Sequence, residues 1–270
     1  MSWARIMAPL SGGQEDADAL AAGVSLAEPF GAELLGVYTP ADVADVMPWM
    51  GDSFMGGVQA TALESLKEAA EIGEAHAREA AGRCTYGKLR FLSLQTPVWA
   101  GLSAESRLSD VVVFTDGPPR GRGALAESFQ QMVADEQRPV LVARRNLRID
   151  GCIMVAWEGG KEASRAARLA LPLLEKAARV VIVSAPKSGA RNIDPARLQD
   201  YYRQRGVAAE IELLTGGGDV GHALLDAASR AGASILVAGA FGHTRLQEFI
   251  FGGTTRTLLN SEGPSLFLSH

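Results

Sequence analysis

Short runs of apolar residues alternate with longer amphipathic stretches along the whole chain. The apolar runs lack the strict alternation of a sheet with one wet face, which favours strands buried on both faces. Strands that alternate with helices in this way predict βαβ units and a parallel sheet. In the second half the predicted strands are Ile153–Trp157, Val180–Ser184, Ala209–Leu214, Ile235–Gly239 and Ser265–Leu268. The predicted helices between them are Glu162–Ala177, Pro195–Arg205, Val220–Ala231 and Thr254–Glu262.

The two halves of the chain are similar in sequence. The segment that starts at Ile6 reads IMAPLSGGQE, and the segment that starts at Ile153 reads IMVAWEGGKE. Each is a short apolar run followed by two glycines and then by an Ala-rich helical pattern. In the first half this pattern predicts a helix at Glu15–Phe30, and a later pattern predicts another at Thr61–Ala81.

The ends of the two halves match as well, since Pro139–Ala143 is similar to Pro264–Leu268. The repeat predicts two similar doubly wound α/β domains, residues 1–147 and residues 148–270. Pairing the last strand of one domain with the last strand of the other would remove two unpaired sheet edges. We therefore expect these two terminal segments to meet.

Composition narrows the function classes. The net charge is −5 and the pI is about 5.5. Such a surface lacks the basic footprint that neutralises nucleic-acid phosphates, so we expect no nucleic-acid partner. The sequence holds two cysteines, Cys84 and Cys152, which favours a reducing, cytoplasmic location. It shows no long apolar stretch and no leader-like segment, so we expect neither a membrane span nor a targeting sequence.

The strongest signal for chemistry follows the predicted strand Ile235–Gly239. Gly242 comes three residues after Gly239, and after nine more residues the segment Gly252–Thr255 opens a predicted helix. Glycines let the backbone approach a ligand, and a helix N-terminus offers free N–H groups with a partial positive charge. The threonines of this segment can cap the helix or donate a hydroxyl to a phosphate. The alternative is a glycine turn followed by an ordinary Thr cap.

This loop resembles the nucleotide loop of universal stress proteins, in which Gly-x-x-Gly precedes nine residues, Gly and then Ser or Thr. The segments Ala156–Arg165 and Pro264–Leu268 also resemble that family, and the resemblance covers essentially the whole chain. It implies two tandem flavodoxin-like, adenine-nucleotide-hydrolase-like domains, each with a five-stranded parallel sheet between helices. It further implies a stress-response binding protein rather than an enzyme, with no catalytic residue and no metal ligand assigned.

The same resemblance implies that ATP or a related nucleotide, with magnesium, binds in the second domain only. The ribose would lie near Glu158, the base near Ser184 and Ala185, and the phosphates against the glycine loop. The implied site residues are Glu158, Gly159, Ala185, Gly239, Gly242, Gly252, Gly253, Thr254 and Thr255.

Three positions depart from the family pattern. Glu158 stands where nucleotide-binding members carry Asp, and Gly160 stands where Ser follows. Gly253 occupies the usual Ser/Thr position, so the hydroxyls come one and two residues later. One residue along a helix turns a side chain by about 100°. A rival hypothesis is therefore an interaction or dimerisation module that binds no nucleotide.

The first domain departs further. Its Gly-x-x-Gly pair would fall on Phe114 and Gly117 or on Thr115 and Pro118, and either choice breaks the pattern. Pro118 and Pro119 lack N–H donors, Asp116 adds negative charge at the expected phosphate position, and Glu127 stands near a later loop glycine. We predict that this domain binds no nucleotide in the family's manner.

Two further features leave alternatives open. The loop Ser11–Gly13 resembles the pyrophosphate loop of ATP pyrophosphatases, which makes such an enzyme a third hypothesis, although Glu15 and Asp16 oppose anion binding there. Residues 46–57 are rich in Met and glycine and include Trp49. This loop could cap a ligand cleft, bury a subunit contact in a homodimer, or fold over its own core.

Overall fold

The computed structural model describes residues 2–40, 56–145, 147–185, 194–214, 218–240 and 252–270. Within these residues the chain forms one sheet of ten strands. The strands are β1 (Arg5–Leu10), β2 (Glu33–Tyr38), β3 (Leu89–Ser93), β4 (Val111–Phe114), β5 (Val140–Val142), β6 (Cys152–Ala156), β7 (Arg179–Ser184), β8 (Glu210–Leu213), β9 (Ala233–Gly239) and β10 (Ser265–Ser269).

The helices alternate with the strands, as the hydrophobic pattern predicts. They are α1 (Asp16–Ala27), α2 (Gly56–Arg83), α3 (Val98–Ser106), α4 (Ala126–Ala134), α5 (Lys161–Leu169), α6 (Leu171–Leu174), α7 (Pro195–Arg203), α8 (Val220–Ala231) and α9 (Gly253–Asn260). Short 3₁₀ turns lie at Glu28–Phe30 and Pro118–Arg120. Among the described residues, no helix has the length and apolar character needed to cross a bilayer.

The strand order is β3-β2-β1-β4-β5-β10-β9-β6-β7-β8. Neighbouring strands are parallel within each half, and the halves join through antiparallel pairing of β5 with β10. The register places Val142 opposite Leu266 and Val140 opposite Leu268. The expected α/β class, with five parallel strands per half, is therefore confirmed, and the two terminal segments meet as predicted. The domain boundary near residue 147 stays a prediction.

Helices cover both faces of the sheet. On one face α1, α2, α5, α6 and α7 pack on residues such as Ile6, Ile153 and Phe267. On the other face α3, α4, α8 and α9 pack on residues such as Met7, Met154 and Leu266. Each core runs through both halves, because successive strand residues point to opposite faces of the shared sheet. The ring of Trp3 stacks at 6.1 Å on the ring of Phe267 and so joins the first half to the second.

Four predicted helices end earlier in the structure, and two of them are interrupted at a proline; α7 and α9 each end two residues before the predicted position. The helix expected at Glu162–Ala177 is divided into α5 and α6, and the helix expected at Glu15–Phe30 ends as α1 at Ala27. Each break lies beside a proline, Pro172 in one case and Pro29 in the other. Proline has no N–H and its ring crowds the preceding turn, so the α-helical ladder stops.

Helix α2 is longer than the predicted Thr61–Ala81. It begins at Gly56. The prediction missed its first residues because Gly56 and Gly57 add no apolar side chain to the periodic pattern. Residues 46–55 of the Met-rich loop lie outside the described residues, so the hypotheses about that loop stay open.

Arg144, directly after β5 and Ala143, makes the densest polar contacts between the halves. Its side chain is 5% exposed, and its Nε lies 2.8 Å from Asp116 Oδ1. Its Nη1 donates to the carbonyl of Pro264 at 3.0 Å, and its Nη2 donates to the carbonyl of Leu258 at 2.9 Å. Arg120 also pairs with Asp116, at 2.7 Å. The charge of Asp116 is therefore balanced by two arginines, which corrects the expectation that it repels anions in the loop after β4.

Glu136 lies in the segment that leads into β5, at the other end of this strand from Arg144. It accepts from Arg107 Nη2 at 2.6 Å, Arg107 Nε at 2.9 Å and Ser103 Oγ at 2.6 Å. The Arg107 guanidinium, helped by the Ser103 hydroxyl, lowers the pKa of Glu136 to about 2 although partial burial opposes the shift. The ionised carboxylate is thus favoured by the folded state.

We expect Glu136→Gln to lower the free energy of unfolding by about 1–2 kcal/mol at pH 7, a value reduced because Arg107 is largely exposed to solvent. A depressed carboxyl pKa stabilises the fold above the ordinary value and loses that effect as the pH falls. The gap between wild type and variant should therefore shrink by about half near pH 3. Urea unfolding from pH 7 to pH 3 measures it, with Glu175→Gln at an exposed site as control. A gap that is independent of pH would contradict the ion pair.

Candidate functional site

A cleft opens at the carboxyl ends of β6, β7 and β9, where the strand order of the second half reverses between β6 and β9 while all its strands stay parallel. Ligands of open α/β sheets bind at such a point. The cavity has a volume of about 520 Å³, within the usual range for small-molecule sites. Its lining residues are Ala156, Trp157, Glu158, Glu162, Ala163, Val183, Ala185, Leu214, Gly218, Asp219, Val220, Leu224, Ala238, Gly239, Gly252, Gly253, Thr254 and Thr255.

The loop after β6 brings Glu158 to the rim of the cleft. Gly159 has φ of +75°, a conformation that favours glycine and turns the chain into α5. The position of a Cβ on Gly160 is taken by Glu158 Oε1, so the carboxylate folds back over the start of α5. The two departures from the family pattern are therefore linked, because the missing side chain at 160 makes room for the longer carboxylate at 158.

Gly239, the last residue of β9, lies against the start of α5. A Cβ placed there would be 2.5 Å from the backbone N of Ala163 and 2.7 Å from the carbonyl carbon of Glu162. Real Cβ atoms do not approach backbone this closely, so glycine is required for this contact. The close approach places the first turn of α5 at the wall of the cleft.

Helix α9 begins inside the cleft. Gly252 is its N-cap with φ −61° and ψ 155°, and the first intrahelical bond runs from Arg256 N to Gly252 O at 2.9 Å. The N–H groups before Arg256 have no acceptor within the helix and none is recorded among the described residues, so they can bind a ligand. No atom of the described residues lies within 4 Å of the Cβ positions of Gly252 and Gly253, whereas Thr255 is buried and Thr254 half-buried. This end of α9 has room and donors for an anion.

The opposite wall is the start of α8. Asp219 caps that helix by accepting from His222 N at 2.9 Å, and the bond from this N–H lowers the pKa of Asp219. Asp219, Glu158 and Glu162 all line the cavity, so the described wall is acidic. The described residues contain no group of three His, Cys, Asp or Glu side chains placed to hold a metal ion.

The structure brings together most of the residues predicted from the sequence. Glu158, Ala185 and Gly239 line the cavity, and so does the segment Gly252–Thr255. Gly159 lies in the adjoining loop and turns it, and Gly242 lies outside the described residues. Sequence reasoning missed Trp157, Glu162 and Asp219. The N-cap preference for Asp gave a signal for Asp219 before α8, but nothing in the sequence connected that helix with the glycine loop.

The matching region of the first half is covered by α2. The loop after β1 approaches that helix so closely that a Cβ on Gly12 would lie 2.6 Å from the Cα of Gly73. His76 Nδ1 lies 3.2 Å from the carbonyl of Gly12, and Tyr38 Oη donates to the carbonyl of Ala70 at 3.0 Å.

The loop after β1 also has its own internal anion. Asp16 is 1% exposed and accepts from Ser11 N at 2.7 Å, Ser11 Oγ at 2.9 Å and Gly12 N at 2.9 Å. The N–H groups that would face a ligand phosphate in this loop are therefore already used.

Comparison with known proteins agrees with the fold of this chain. Residues 152–261 match the profile of the Universal stress protein family. Across the whole chain, a universal stress protein from Archaeoglobus fulgidus has a similar fold at 13% identity and a TM-score of 0.61, covering 98% of this chain and 95% of that one. A protein of unknown function from Pseudomonas aeruginosa is similar at 16% identity and a TM-score of 0.56, covering 99% and 92%. No curated protein sequence matches significantly.

Two glycines of the cleft provide a matched test of its packing. We expect Gly239→Ala to lower the free energy of unfolding by about 1–3 kcal/mol, because the added methyl collides with backbone that cannot turn aside. Gly252→Ala, which adds the same methyl into open space, should change it by less than about 0.5 kcal/mol. Thermal and urea unfolding measure both. Equal effects of the two substitutions would show that β9 and α5 do not approach as described.

Proposed function

We propose that this chain, whose residues 152–261 belong to the universal stress protein family, binds ATP or a related adenine nucleotide in the cleft of its second half. The observation that carries the proposal is the start of α9, where Gly252, Gly253 and Thr254 border a cavity of about 520 Å³, and where no described residue fills the space beside the first N–H groups of the helix. A phosphate at such a position gains several hydrogen bonds and the favourable end of the helix dipole.

The other walls suit the rest of a nucleotide. Val183, Ala185 and Leu214 give an apolar surface beside the end of β7, which suits a flat base. Glu158 on the adjoining loop can accept from ribose hydroxyls. Three carboxylates in the described wall would repel an unaccompanied triphosphate, so we infer that the nucleotide binds as its magnesium complex, in which the ion balances part of the phosphate charge.

The proposed role is binding rather than turnover. The described residues of the cleft include no Ser, Cys or Lys nucleophile paired with a base. The side-chain hydroxyls that line the cleft are those of Thr254 and Thr255 in helix α9. The first half acts as a structural partner, since α2 and Asp16 occupy its matching loop. A cytoplasmic stress-response protein that senses or stores nucleotide fits these features.

The acidic wall also supports a second candidate, an interaction module that binds no nucleotide. Among the described residues that line the cavity, Glu158, Glu162 and Asp219 carry charge and none is a Lys or Arg. Such a cleft would suit a basic or neutral group of a partner protein. Absence of nucleotide binding at millimolar ATP with magnesium would favour this candidate.

Nucleotide stoichiometry should be one per chain. The second half has an open cleft, whereas in the first half the loop that matches Glu158–Gly160 already donates its N–H groups to Asp16, and the loop after β4 carries Pro118 and Pro119, which lack N–H donors. Loss of two charge-assisted hydrogen bonds weakens binding by about two orders of magnitude or more. Isothermal titration calorimetry with ATP and magnesium should therefore give a single site. Two equivalent sites per chain would contradict the division between the halves.

Filling the open end of α9 should abolish binding without unfolding the protein. Gly252→Val places a branched side chain where the phosphates would lie, and we expect ATP affinity to fall by at least about a hundredfold. Gly82→Val, at an exposed α2 position whose Cβ also meets open space, is the matched control and should bind like the wild type. Unchanged affinity in Gly252→Val, with circular dichroism showing a folded protein, would refute the assignment of the phosphate position.

A further inference from the structure

Helix α9 has its two ends in different parts of the molecule. Its first turn, Gly253–Thr255, lines the cleft of the second half. Its last carbonyls, those of Leu258 and Leu259, accept hydrogen bonds from Arg144, which belongs to the first half. The helix has eight residues and is therefore about 12 Å long. A movement of one end is transmitted to the other, because so short a helix behaves as one rigid piece.

The C-terminal end of α9 depends on this arginine. The last carbonyls of a helix have no N–H donor within the helix and need another partner. Arg144 Nη2 lies 2.9 Å from Leu258 O and 3.3 Å from Leu259 O, and Nη1 lies 3.0 Å from Pro264 O just beyond the helix. A planar guanidinium can donate in several fixed directions at once and also favours the negative end of the helix dipole.

Arg144 is itself held by the first half. Its Nε donates to Asp116 Oδ1 of the first half at 2.8 Å, while its backbone N donates to Ser265 Oγ of the second half at 3.0 Å. The neighbouring Arg120 pairs with Asp116 at 2.7 Å and lies 3.2 Å from Glu262, just after α9. The side chain of Arg144 is 5% exposed, so neither water nor rotation of the side chain can easily replace these partners.

Helix α8 gives α9 a second support, near the middle of the helix. A Cβ on Gly221 of α8 would lie 2.6 Å from Thr257 Cβ, so Gly221 lies directly against the Thr257 side chain. An isolated helix of two turns is unstable in water, and its position must come from such external contacts.

We propose that Arg144 is a positioning residue for the cleft: the first half holds the C-terminal end of α9 so that its N-terminal end stays in place to bind the nucleotide phosphates. This inference rests on the proposed nucleotide function. It gives the first half a role in ligand binding although its own cleft is covered, and it explains why the buried Arg144 points its guanidinium at carbonyls of the other half.

The experiment compares wild type, Arg144→Met, Arg144→Lys and Glu136→Gln. ATP affinity in the presence of magnesium is measured by calorimetry at a temperature where circular dichroism shows all four to be folded. Glu136 lies at the other end of β5 and touches no part of the cleft, so Glu136→Gln controls for a general loss of stability in the first half. Amide hydrogen exchange of residues 256–260 reports directly on α9.

We expect Arg144→Met to weaken ATP binding by about tenfold or more, equivalent to losing one charge-assisted hydrogen bond. Exchange in α9 should become faster. Arg144→Lys keeps the charge but loses the planar guanidinium, so its ATP affinity should lie between those of Arg144→Met and the wild type. Glu136→Gln should leave affinity and α9 exchange unchanged. Wild-type affinity in a folded Arg144→Met protein would overturn the inference, and so would equal losses in Arg144→Met and Glu136→Gln.

Two further outcomes distinguish a failure of the proposed nucleotide function from a failure of the role inferred for Arg144. If the wild type binds no ATP, the proposed function fails, and exchange in α9 alone decides the role of Arg144. In that case equal exchange in wild type and Arg144→Met would overturn it. If Arg144→Met does not fold, Arg144→Lys carries the comparison, and wild-type affinity together with wild-type exchange in that variant would overturn the inference.

Discussion

The antiparallel pairing of β5 with β10 is the contact on which the rest of the structure depends. A five-stranded parallel sheet would leave the edge of its last strand unpaired, and joining two such sheets removes both edges. The pairing also makes the apolar cores on the two faces continuous across the halves. Burial of the apolar cores stabilises the joined sheet without fixing its alignment, whereas the hydrogen-bonded register of β5 and β10 determines which residues face each other. Arg144 can reach the end of α9 because this register holds the end of β5 beside the start of β10.

The two halves share a scaffold and differ at the carboxyl ends of their strands. In the second half, glycines at 239, 252 and 253 allow close packing on one side of the cleft and leave space on the other. In the first half, the long helix α2 lies on the loop after β1 and Asp16 supplies an anion from within the protein. The difference is chemical as well as steric, since in the first half a buried carboxylate already satisfies the donors of the loop that matches Glu158–Gly160. One copy of the repeat can thus support the other without repeating its binding role.

Much of the fold could be predicted from the sequence because it follows from local pattern. Buried strands appear as apolar runs, and the helix Val220–Ala231 was predicted with the bounds that the structure shows because its apolar period is unbroken. Two of the helices that were predicted too long contain Pro29 or Pro172, which interrupts the hydrogen-bond ladder within an otherwise helical pattern.

The cleft was less predictable than the fold. Its glycine-rich side lies in one stretch of sequence, so Gly239 and Gly252 could be linked by spacing. The carboxylate of Asp219 and the guanidinium of Arg144 come from distant elements, and only the sheet order brings them to α8 and α9. Likewise, the sequence showed Asp116 as a charge in a loop, whereas its partners Arg120 and Arg144 are visible only in the folded chain.

The central claim is that one nucleotide site per chain lies in the second half, at the start of α9. A crystal structure of the full chain grown with magnesium and a non-hydrolysable ATP analogue tests it most directly. The account predicts a single analogue per chain, with its phosphates on the backbone of Gly252–Thr254 and its base beside Ala185. An analogue bound at the Ser11–Gly13 loop of the first half, or a cleft without analogue in crystals grown at saturating concentration, would contradict it.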